Sequence, residues 1–375
     1  MMERNKRILI FTTAYLPHIG GAEIAIKEIT DRLPDYDFDL ITARLDRRLP
    51  KEEKIGRVRV YRLGWGCFLD KYYLAFCGHF KAIKLHKDNP YNLIWGMIAS
   101  WGGLSAVKFK KKTNLPFLLS LQEGDDLKKI EAKAKILGSW WKDIFKQADQ
   151  IQAISTYLAD WAYSLGFKGR VEVIPNGVDL GLFKFRNKPI DWNNKPREIK
   201  LVTTSRLVYK NGLDLVITAL PYLSTNISFH IAGVGKEKRK LQILAGKLGV
   251  IERVIFYDLI PYTQLPDFLI QGDIFIRLSR TEGLGNSFLE AMACGLPVIG
   301  TNVGGIPDFL TDQKTGFVIP VDKPQAVAKK IKYIIDSINI EEVKDIIGQG
   351  KKLIENNYNW DIIFQKMDKI FLDLT

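Results

Sequence analysis

The sequence contains few cysteines and few histidines. Only three cysteines and four histidines occur in 375 residues. The cysteines show no metal-binding spacing, leave one over from any disulfide pair, and favour a reduced, cytoplasmic protein. Because the histidines do not cluster, a structural zinc site is not expected. These residues are Cys67, Cys77 and Cys294, and His18, His79, His86 and His230.

The sequence also lacks the long apolar segments that membrane insertion and secretion require. No apolar run reaches the 18 residues or so that a transmembrane helix needs, so none is predicted. The basic N-terminus precedes only a short run, Ile8–Thr13, which is more typical of a strand than of a signal peptide. Zinc-finger, helix-turn-helix and aromatic RNA-binding patterns are missing as well, so nucleic acid is not an expected partner.

Positive charge is abundant but unevenly distributed. The formal net charge is +13, of which residues 1–190 carry +11 and residues 191–375 carry +2. A basic half of this kind can contact an anionic lipid surface or an anionic acceptor, or it can simply keep the protein soluble. The densest basic clusters lie at Arg44–Lys51, Lys108–Lys112 and Lys128–Lys135.

Short apolar runs alternate with amphipathic segments along the whole chain. This alternation predicts parallel sheets flanked by helices, and its two successive sets predict two Rossmann-like domains. A segment rich in Pro, Asn and Lys at 179–198 is typical of a linker. The predicted domains are therefore 1–185 and 186–358, followed by an amphipathic helix at 359–375. The predicted strands are Arg7–Thr13, Phe38–Thr42, Val58–Leu63, Leu93–Ile98, Phe117–Leu121, Ile151–Ile154, Val171–Ile174, Lys200–Thr204, Ile227–Ala232, Val254–Tyr257, Ile274–Leu278, Pro297–Thr301 and Phe317–Ile319.

The segment Thr281–Ile299 is the most informative part of the sequence. It places Glu282 and Glu290 eight positions apart, with a Gly-Leu-Gly turn after the first and a helix that starts near Asn286. A glycine-rich turn at a helix N-terminus offers backbone N–H groups and the positive end of the helix dipole to phosphate oxygens. Glutamates repel phosphate but accept hydrogen bonds from sugar hydroxyls. The pattern therefore favours a nucleotide sugar, although an ordinary strand–turn–helix with solvent-facing glutamates would share the spacing.

This segment resembles the donor motif of glycosyltransferase family 4, a family of retaining enzymes with the GT-B fold. The resemblance extends over most of the chain. It implies an α/β fold in which two Rossmann-like domains face a central cleft, with the last helix crossing back to the N-terminal domain. It also implies that Glu282 contacts the transferred sugar, that Glu290 contacts the ribose, and that the base lies near Leu259. The other donor contacts implied here are Gly283, Leu284, Gly285, Asn286, Ser287 and Leu289.

Two cations follow the first predicted strand of the second half. Arg206 and Lys210 lie four positions apart, at the end of a strand where open α/β sheets bind their ligands. Positive charge there can stabilise a departing diphosphate, so these residues and Glu282 are the predicted catalytic group. The family usually has Gly-Arg-Leu and Lys-Gly at these places. This chain has Ser205-Arg206-Leu207 and Lys210-Asn211-Gly212, which keeps both cations.

The loop after the first strand contains a glycine pair. Gly20 and Gly21 have no Cβ and let a ligand approach the backbone, and the helix that follows directs its dipole at the same place. The loop resembles the first loop of family 4, which contacts the donor phosphate and the acceptor. A turn that needs glycine for positive φ is the alternative. His18 is equally compatible with packing of the loop and with contact to the acceptor.

A cluster of carboxylates follows the fifth predicted strand. Glu123, Asp125 and Asp126 could bind acceptor hydroxyls, or one of them could accept the acceptor's proton. Capping of the next helix by Asp125 or Asp126 is the alternative. Many family members have a histidine at this place, whereas this chain has Gln122 or Glu123. The family's base is therefore not transferred to either residue.

Together these motifs predict a retaining glycosyltransferase that moves a sugar from a UDP- or GDP-sugar to a glycan or lipid-linked acceptor, in cell-envelope or exopolysaccharide synthesis. No metal or other cofactor is expected, because Arg206, Lys210 and a helix N-terminus can neutralise the diphosphate. An anionic membrane surface is a further expected partner. Two alternatives stay open: a GT-B phosphorylase or hydrolase, and a catalytically silent protein that binds sugar nucleotides or glycans.

Overall fold

The chain forms two compact units in the computed structural model. The structure describes residues 5–135, 138–186, 198–321 and 323–375. Unit 1 consists of Met1–Asn176 together with Trp360–Thr375, and unit 2 consists of Gly177–Asn359. The division between the units therefore precedes the predicted linker, of which residues 187–197 lie outside the described part of the chain.

Unit 1 is built on a sheet of eight strands. These are β1 Lys6–Phe11, β2 Tyr36–Ala43, β3 Glu52–Ile55, β4 Val58–Leu63, β5 Leu93–Met97, β6 Phe117–Leu121, β7 Gln150–Ala153 and β8 Arg170–Val173. Their order is β3-β4-β2-β1-β5-β6-β7-β8. All neighbours are parallel except β3 and β4, which pair in antiparallel fashion. Because β5 and β6 are buried along their whole length, their sequences are nearly continuous apolar runs, interrupted only by Ser120, rather than alternating ones.

Helices flank this sheet and complete its core. The last helix packs against it with Trp360, Met367 and Phe371 buried in the same core as Ile10 and Trp95. The helices of unit 1 are α1 Gly21–Arg32, α2 Asp70–Asp88, α3 Trp101–Thr113, α4 Leu127–Ala134, α5 Ser139–Gln147, α6 Thr156–Ser164 and, from the end of the chain, α13 Trp360–Leu374.

Unit 2 is built on a parallel sheet of six strands. The strands are β9 Ile199–Thr204, β10 Ile227–Ala232, β11 Val254–Tyr257, β12 Ile274–Ile276, β13 Val298–Thr301 and β14 Phe317–Ile319. Their order is β11-β10-β9-β12-β13-β14, and every neighbouring pair is parallel. The helices are α7 Leu213–Ala219, α8 Lys238–Lys247, α9 Leu265–Ile270, α10 Asn286–Ala293, α11 Pro324–Ile335 and α12 Ile340–Asn357.

The structure confirms the predicted α/β class and each predicted strand, and it adds one strand that the sequence analysis missed. Strand β3 has the sequence Glu-Glu-Lys-Ile and alternates between exposed and half-buried residues. A charged strand of this kind is typical of a sheet edge, where charge discourages pairing with other chains. Strand β3 therefore lacks the apolar run from which the other strands were predicted.

Each sheet has one point where the strand order reverses. In unit 1 this switch point lies between β1 and β5, and in unit 2 it lies between β9 and β12. Ligands of open α/β sheets bind at the carboxyl ends of the strands at such points. The candidate site is therefore expected at these two points. Within the described residues, none of the helices combines the length and the apolar character needed to cross a bilayer.

Candidate active site

Tight glycine contacts close the switch point of unit 2. Gly212, after β9, has a φ of 64°, and a Cβ there would lie 1.8 Å from the carbonyl oxygen of Leu278. Gly304, after β13, has a φ of 58°, and a Cβ there would lie 1.8 Å from the carbonyl oxygen of Glu282. Both positions thus need glycine for space and for backbone conformation. The loops after β9 and β13 are thereby brought against the loop that follows β12.

Glu282 is held by an arginine that the sequence analysis did not single out. Its Oε2 accepts a hydrogen bond from Arg277 Nη2 at 2.5 Å, and its Oε1 accepts one from the backbone N–H of Gly283 at 3.1 Å. Arg277 directly follows β12, and only 7% of its side chain is exposed. The sequence did contain a signal for this ion pair. Arg277 directly follows the apolar run Ile274–Ile276, and arginine is rarely buried without a partner.

Arg277 also connects β12 to the first turn of α10. Its Nη1 donates to Ser287 Oγ at 2.7 Å, and its Nε donates to Ser279 Oγ at 3.2 Å. The guanidinium lies 4.6 Å from the ring centroid of Phe288. Burial lowers the pKa of Arg277, and the negative charge of Glu282 acts in the opposite direction. The buried pair therefore fixes the Glu282 carboxylate relative to the start of α10.

Glu290 lies one turn further along α10 and is buried. Only 8% of the residue is exposed. Burial raises the pKa of its carboxyl to about 7, although the charge of Arg277 acts to lower it. The alternative that Glu282 and Glu290 simply face solvent is therefore wrong. Near neutral pH Glu290 can bind a hydroxyl either as a carboxylate or as a carboxylic acid.

The start of α10 is shaped by Gly285. This residue is the N-cap of the helix, has a φ of 99°, and provides no side-chain cap. A Cβ there would lie 2.8 Å from Cδ2 of Phe288. The first turn of a helix has backbone N–H groups without intrahelical partners, and these suit phosphate oxygens. The side chains of Leu284 and Leu289 are buried, so donor contacts at those positions would come from the backbone.

Arg206 and Lys210 lie in the loop after β9, as predicted. The charge of Arg206 acts to lower the pKa of Arg277. The close approach of Gly212 to the carbonyl of Leu278 holds this loop against the loop after β12. The two departures from the family pattern contact each other: Asn211 Nδ2 donates to Ser205 Oγ at 2.7 Å and to the carbonyl of Arg206 at 2.7 Å. Asn211 thus stabilises the loop that carries the cations, and this explains why serine and asparagine occur together here.

A second arginine fastens this loop to the one after β12. The backbone N–H of Arg280 donates to the carbonyl of Lys210 at 2.6 Å. Its guanidinium forms a bidentate ion pair with Asp214, with both distances 2.8 Å, and lies 4.1 Å from the ring centroid of Tyr209. Bidentate arginine–carboxylate pairs fix geometry as well as charge. The hydrogen bond to its carbonyl therefore holds the backbone of Lys210 in place relative to the loop after β12.

Leu259 lies beyond β11, at the same carboxyl edge. The order of the sheet separates β11 from β9 by one strand. Leu259 is 71% exposed, so an apolar side chain is available there to contact a planar base.

The switch point of unit 1 carries the predicted glycine pair. Thr13 Oγ1 and Ser100 Oγ lie 2.9 Å apart, which links the ends of β1 and β5. Gly20 is the N-cap of α1 with a φ of −148°, so the alternative that positive φ requires this glycine is wrong. His18 is exposed in the same loop.

Glu123 is the carboxylate of unit 1 that the fold buries. Its Oε1 accepts a hydrogen bond from the backbone N–H of Ala99 at 2.7 Å, whereas its Oε2 is buried and has no partner among the described residues. Burial raises its pKa to about 7, although the N–H of Ala99 acts to lower it. Ile98, next to Ala99, has a φ of 66°. This is a strained conformation for a β-branched residue and is typical of functional sites.

Asp126 has a structural role of the kind anticipated. Its side chain accepts from the backbone N–H of Lys128 at 3.0 Å and caps α4. Gln122 exchanges two hydrogen bonds with the amide of Asn176, at 2.9 and 2.8 Å. Asp125 is exposed between them. Of the three carboxylates, Glu123 therefore has the environment most suited to binding or proton transfer.

Family models match both halves of the chain. The model for "Glycosyltransferase Family 4" matches residues 19–182, and the model for "Glycosyl transferases group 1" matches residues 184–360. The chain belongs to glycosyltransferase family 4. Within the described residues of this glycosyltransferase, no three His, Cys, Asp or Glu side chains are arranged to hold a metal ion.

One relative with an assigned reaction matches about three fifths of this glycosyltransferase. It is a GDP-mannose-dependent α-(1-6)-phosphatidylinositol monomannoside mannosyltransferase of Mycolicibacterium smegmatis. It is 32% identical over 235 residues, which cover 58% of this chain and 60% of the relative.

Two solved structures have the same GT-B fold. Sucrose-phosphate synthase from Thermosynechococcus elongatus superposes with a TM-score of 0.83 at 20% identity, covering 98% of this chain and 99% of that one. HepE of Anabaena, solved in complex with UDP-glucose, superposes with a TM-score of 0.77 at 18% identity, covering 98% of this chain and all of that one. The GT-B fold expected from the sequence is therefore confirmed.

Proposed function

We propose that this glycosyltransferase moves a sugar from a UDP- or GDP-sugar to a glycan or lipid-linked acceptor, with retention of configuration. The observation that carries the proposal is the meeting of Glu282, the first turn of α10 and the loop of Arg206 and Lys210 at one switch point. The names of two similar proteins support the donor class: one is GDP-mannose-dependent, and the other was solved with UDP-glucose.

Arg206, Lys210 and the first-turn N–H groups of α10 bind the donor diphosphate in this proposal. They neutralise the charge that develops on the leaving group as the glycosidic bond breaks. Since these groups supply the positive charge that a divalent cation provides in other enzymes, we propose that the reaction needs no metal. Turnover should therefore be unchanged after treatment with EDTA and should not rise on addition of Mg²⁺ or Mn²⁺. A requirement for either ion would contradict this part of the proposal.

Glu282 binds a hydroxyl of the transferred sugar, and Glu290 binds the ribose. Both oxygens of Glu282 already accept hydrogen bonds, from Arg277 and from the N–H of Gly283, which makes this carboxylate a poor nucleophile. We therefore propose a front-face reaction. The bond from the anomeric carbon to the diphosphate oxygen breaks as the acceptor oxygen bonds to the same face. The acceptor's proton passes to the departing diphosphate.

The acceptor binds to unit 1 in this proposal. Glu123 has a buried Oε2 with no partner among the described residues, so an acceptor hydroxyl would satisfy it. His18 and Asp125 are the exposed polar groups at the same edge. We propose that the enzyme works in cell-envelope or exopolysaccharide synthesis at the cytoplasmic face of a membrane, because unit 1 contains most of the basic half of the chain.

Release of nucleoside diphosphate, measured with and without acceptor, tests the reaction class. UDP-, GDP- and ADP-sugars are first screened by thermal shift, because only a bound donor stabilises the fold. A transferase releases diphosphate in step with the transfer of sugar to acceptor. Acceptor-independent release would identify a hydrolase, phosphate-dependent formation of a sugar phosphate would identify a phosphorylase, and binding without release would identify a silent binding protein.

Kinetics of two conservative variants test the assigned roles. Glu290→Gln should mainly raise the donor KM, because ribose contacts are similar in the ground and transition states. Glu282→Gln should mainly lower kcat, because the sugar distorts as its bond breaks. The reverse pattern would show that the roles are exchanged.

A further inference from the structure

The outer face of helix α2 exposes a row of aromatic side chains. Tyr72, Phe76 and Phe80 lie four residues apart and therefore on one side of the helix. Phe80 is 63% exposed. The opposite side, with Leu74, Ala75, Gly78 and Ala82, is buried. Because α2 already has a buried face, these exposed rings are not required for the core of unit 1.

The row continues onto neighbouring segments. The ring centroids of Phe76 and Trp140, on α5, lie 6.2 Å apart, and those of Trp65 and Tyr73 lie 4.9 Å apart. Between α2, α3 and α5 is a cavity of ≈ 150 Å³ with Phe76, Leu104, Val107 and Trp140 in its wall. The aromatic face, as we call this surface, consists of Trp65, Phe68, Leu69, Tyr72, Tyr73, Phe76, Phe80 and Trp140.

This concentration of rings sets the aromatic face apart from the rest of the surface. All the strongly exposed Trp and Phe side chains among the described residues belong to it: Trp65, Phe68, Phe76, Phe80 and Trp140. Single exposed apolar residues are normal, but contiguous apolar patches mark surfaces that bind a partner or a membrane. The aromatic face is therefore expected to be covered when the enzyme works.

Lysines surround the aromatic face and indicate what covers it. Residues 65–112 contain eight lysines and two aspartates. Lys71 lies 5.0 Å from the ring centroid of Tyr72, and Lys108 lies 4.5 Å from that of Phe76. Asp70 is buried and accepts a hydrogen bond from the backbone N–H of Gly66 at 2.6 Å. Glu52 pairs with Lys81 at 2.8 Å, and Asp143 lies in the wall of the same cavity. Lys71, Lys84 and Lys87 nevertheless leave an excess of positive charge at this face.

A combination of aromatic rings and lysines matches the interface of an anionic bilayer. Trp and Tyr are enriched at the level of the lipid headgroups, and lysines beside them are attracted to anionic lipids. A second copy of the chain would instead bring two sets of lysines together. We propose that the aromatic face seats unit 1 on an anionic membrane surface. This proposal rests on the proposed function in that a lipid-linked acceptor would lie at the same surface.

The structure also changes which residues should be tested. The sequence has a basic cluster at Lys108–Lys112. Lys110 pairs with Asp149, however, and Lys111 pairs with Asp143 at 2.8 Å. Lys84 and Lys87 are exposed on the last turns of α2 and are the better candidates for contact with lipid headgroups.

Vesicle binding of the full chain tests the proposal. Wild type should bind vesicles that contain phosphatidylglycerol and should bind pure phosphatidylcholine vesicles much more weakly. Phe76→Ser combined with Phe80→Ser should lower the partition coefficient by at least about tenfold, because two rings no longer insert. The matched control is Tyr222→Ser combined with Ile338→Ser, which removes two exposed apolar side chains from unit 2 and should leave binding unchanged.

Charge and insertion depth give two further readouts. Lys84→Glu combined with Lys87→Glu should also weaken binding to anionic vesicles at least about tenfold, and added salt should weaken binding by wild type. Lys352→Glu, in unit 2, is the control. Brominated lipids should quench tryptophan fluorescence, and Trp65→Phe combined with Trp140→Phe should abolish most of that quenching.

The outcomes separate this proposal from the proposed function. Transfer to a water-soluble acceptor should be unchanged in the Phe76/Phe80 variant, since neither residue belongs to the donor or acceptor site. Equal binding by wild type and this variant would overturn the membrane proposal even if transfer proceeds. A wild-type dimer that the same variant dissociates, without vesicle binding, would assign the face to a second copy. Vesicle binding without any transfer would contradict only the proposed function.

Discussion

At the residue scale, Arg277 and Glu282 form the contact on which the candidate site depends most. Both side chains are mostly buried, so removal of one partner leaves an unpaired charge in a site of low dielectric. We expect Arg277→Gln to lower the free energy of unfolding by about 3 kcal/mol and to lower kcat. Arg277→Lys should lie between wild type and Gln, because lysine keeps the charge but cannot form the same fork of hydrogen bonds.

A double-mutant cycle measured by urea denaturation checks this expectation. Arg277→Gln combined with Glu282→Gln should lose less stability than the sum of the two single variants, because neither charge is then left unpaired. Additive effects would show that the two side chains do not interact in solution.

The two buried glutamates predict that stability depends on pH in a definite direction. Burial raises the pKa of Glu290 from 4.5 in the unfolded chain to about 7 in the folded protein. The folded state therefore keeps a proton that the unfolded state releases. The resulting stability is fully present below about pH 4.5 and is lost as pH rises through 7, by up to about 3 kcal/mol.

Urea denaturation at pH 5 and pH 8 measures this loss. Glu290→Gln should reduce it, since glutamine cannot ionise, and Glu123→Gln should reduce it independently for the same reason. The exposed Glu355→Gln serves as the control. If Glu290→Gln and Glu123→Gln both retain the full pH dependence of wild type, other groups bind the protons that the folded state retains.

The cations after β9 give a prediction about turnover. Replacement of Arg206 or Lys210 by Ala should lower kcat by about tenfold or more, which corresponds to about 1.4 kcal/mol of lost transition-state stabilisation. Lys352→Ala, an exposed lysine on α12, should leave kcat unchanged. Wild-type kcat in both site variants, with folding intact, would remove them from the catalytic group.

At the element scale, the loops between strands and helices decide where these residues lie. Gly304 has positive φ, and an added Cβ would meet the carbonyl oxygen of Glu282 at 1.8 Å. Gly304→Ala should therefore lower the free energy of unfolding by at least about 2 kcal/mol and reduce turnover, because the loop of Glu282 must shift.

Gly348 offers a matched control on helix α12. A Cβ at this position would meet nothing within 4 Å, and the residue lies inside a helix. Gly348→Ala should therefore raise the free energy of unfolding by roughly 0.5–1 kcal/mol without changing turnover. Thermal or urea denaturation measures the change in the free energy of unfolding for both variants. If Gly304→Ala and Gly348→Ala change it equally, the loop after β13 can move to accommodate a Cβ.

Strands were easier to predict than the contacts made by the loops that follow them. Parallel strands are apolar on both faces and so appear as plain runs, as in β5 and β6. Strand β3 was missed because an edge strand can be charged. Asn211 and Ser205 were seen only as departures from the family pattern. Their hydrogen bond depends on how the loop after β9 folds back, which no local pattern specifies.

At the scale of the whole molecule, the chain divides into two units with different surfaces. Residues 1–190 carry most of the excess positive charge, and unit 1 alone carries the aromatic face. Apart from the glycine pair Gly20 and Gly21, the predicted donor residues lie in unit 2. In our proposals, unit 2 therefore contributes most of the donor contacts, whereas unit 1 contacts the membrane. This division also means that the vesicle and kinetic experiments probe different surfaces.

The sequence by itself determined the family and the α/β class, and it predicted the residues of the donor motif. Glu282, Glu290, Arg206 and Lys210 could be predicted because spacing, glycine placement and strand ends are local properties of the chain. Only the tertiary structure brought Arg277 onto Glu282, buried Glu123 and Glu290, and exposed the rings of α2. Burial and pairing depend on residues far apart in sequence, and they determine pKa values and surfaces that local patterns do not contain.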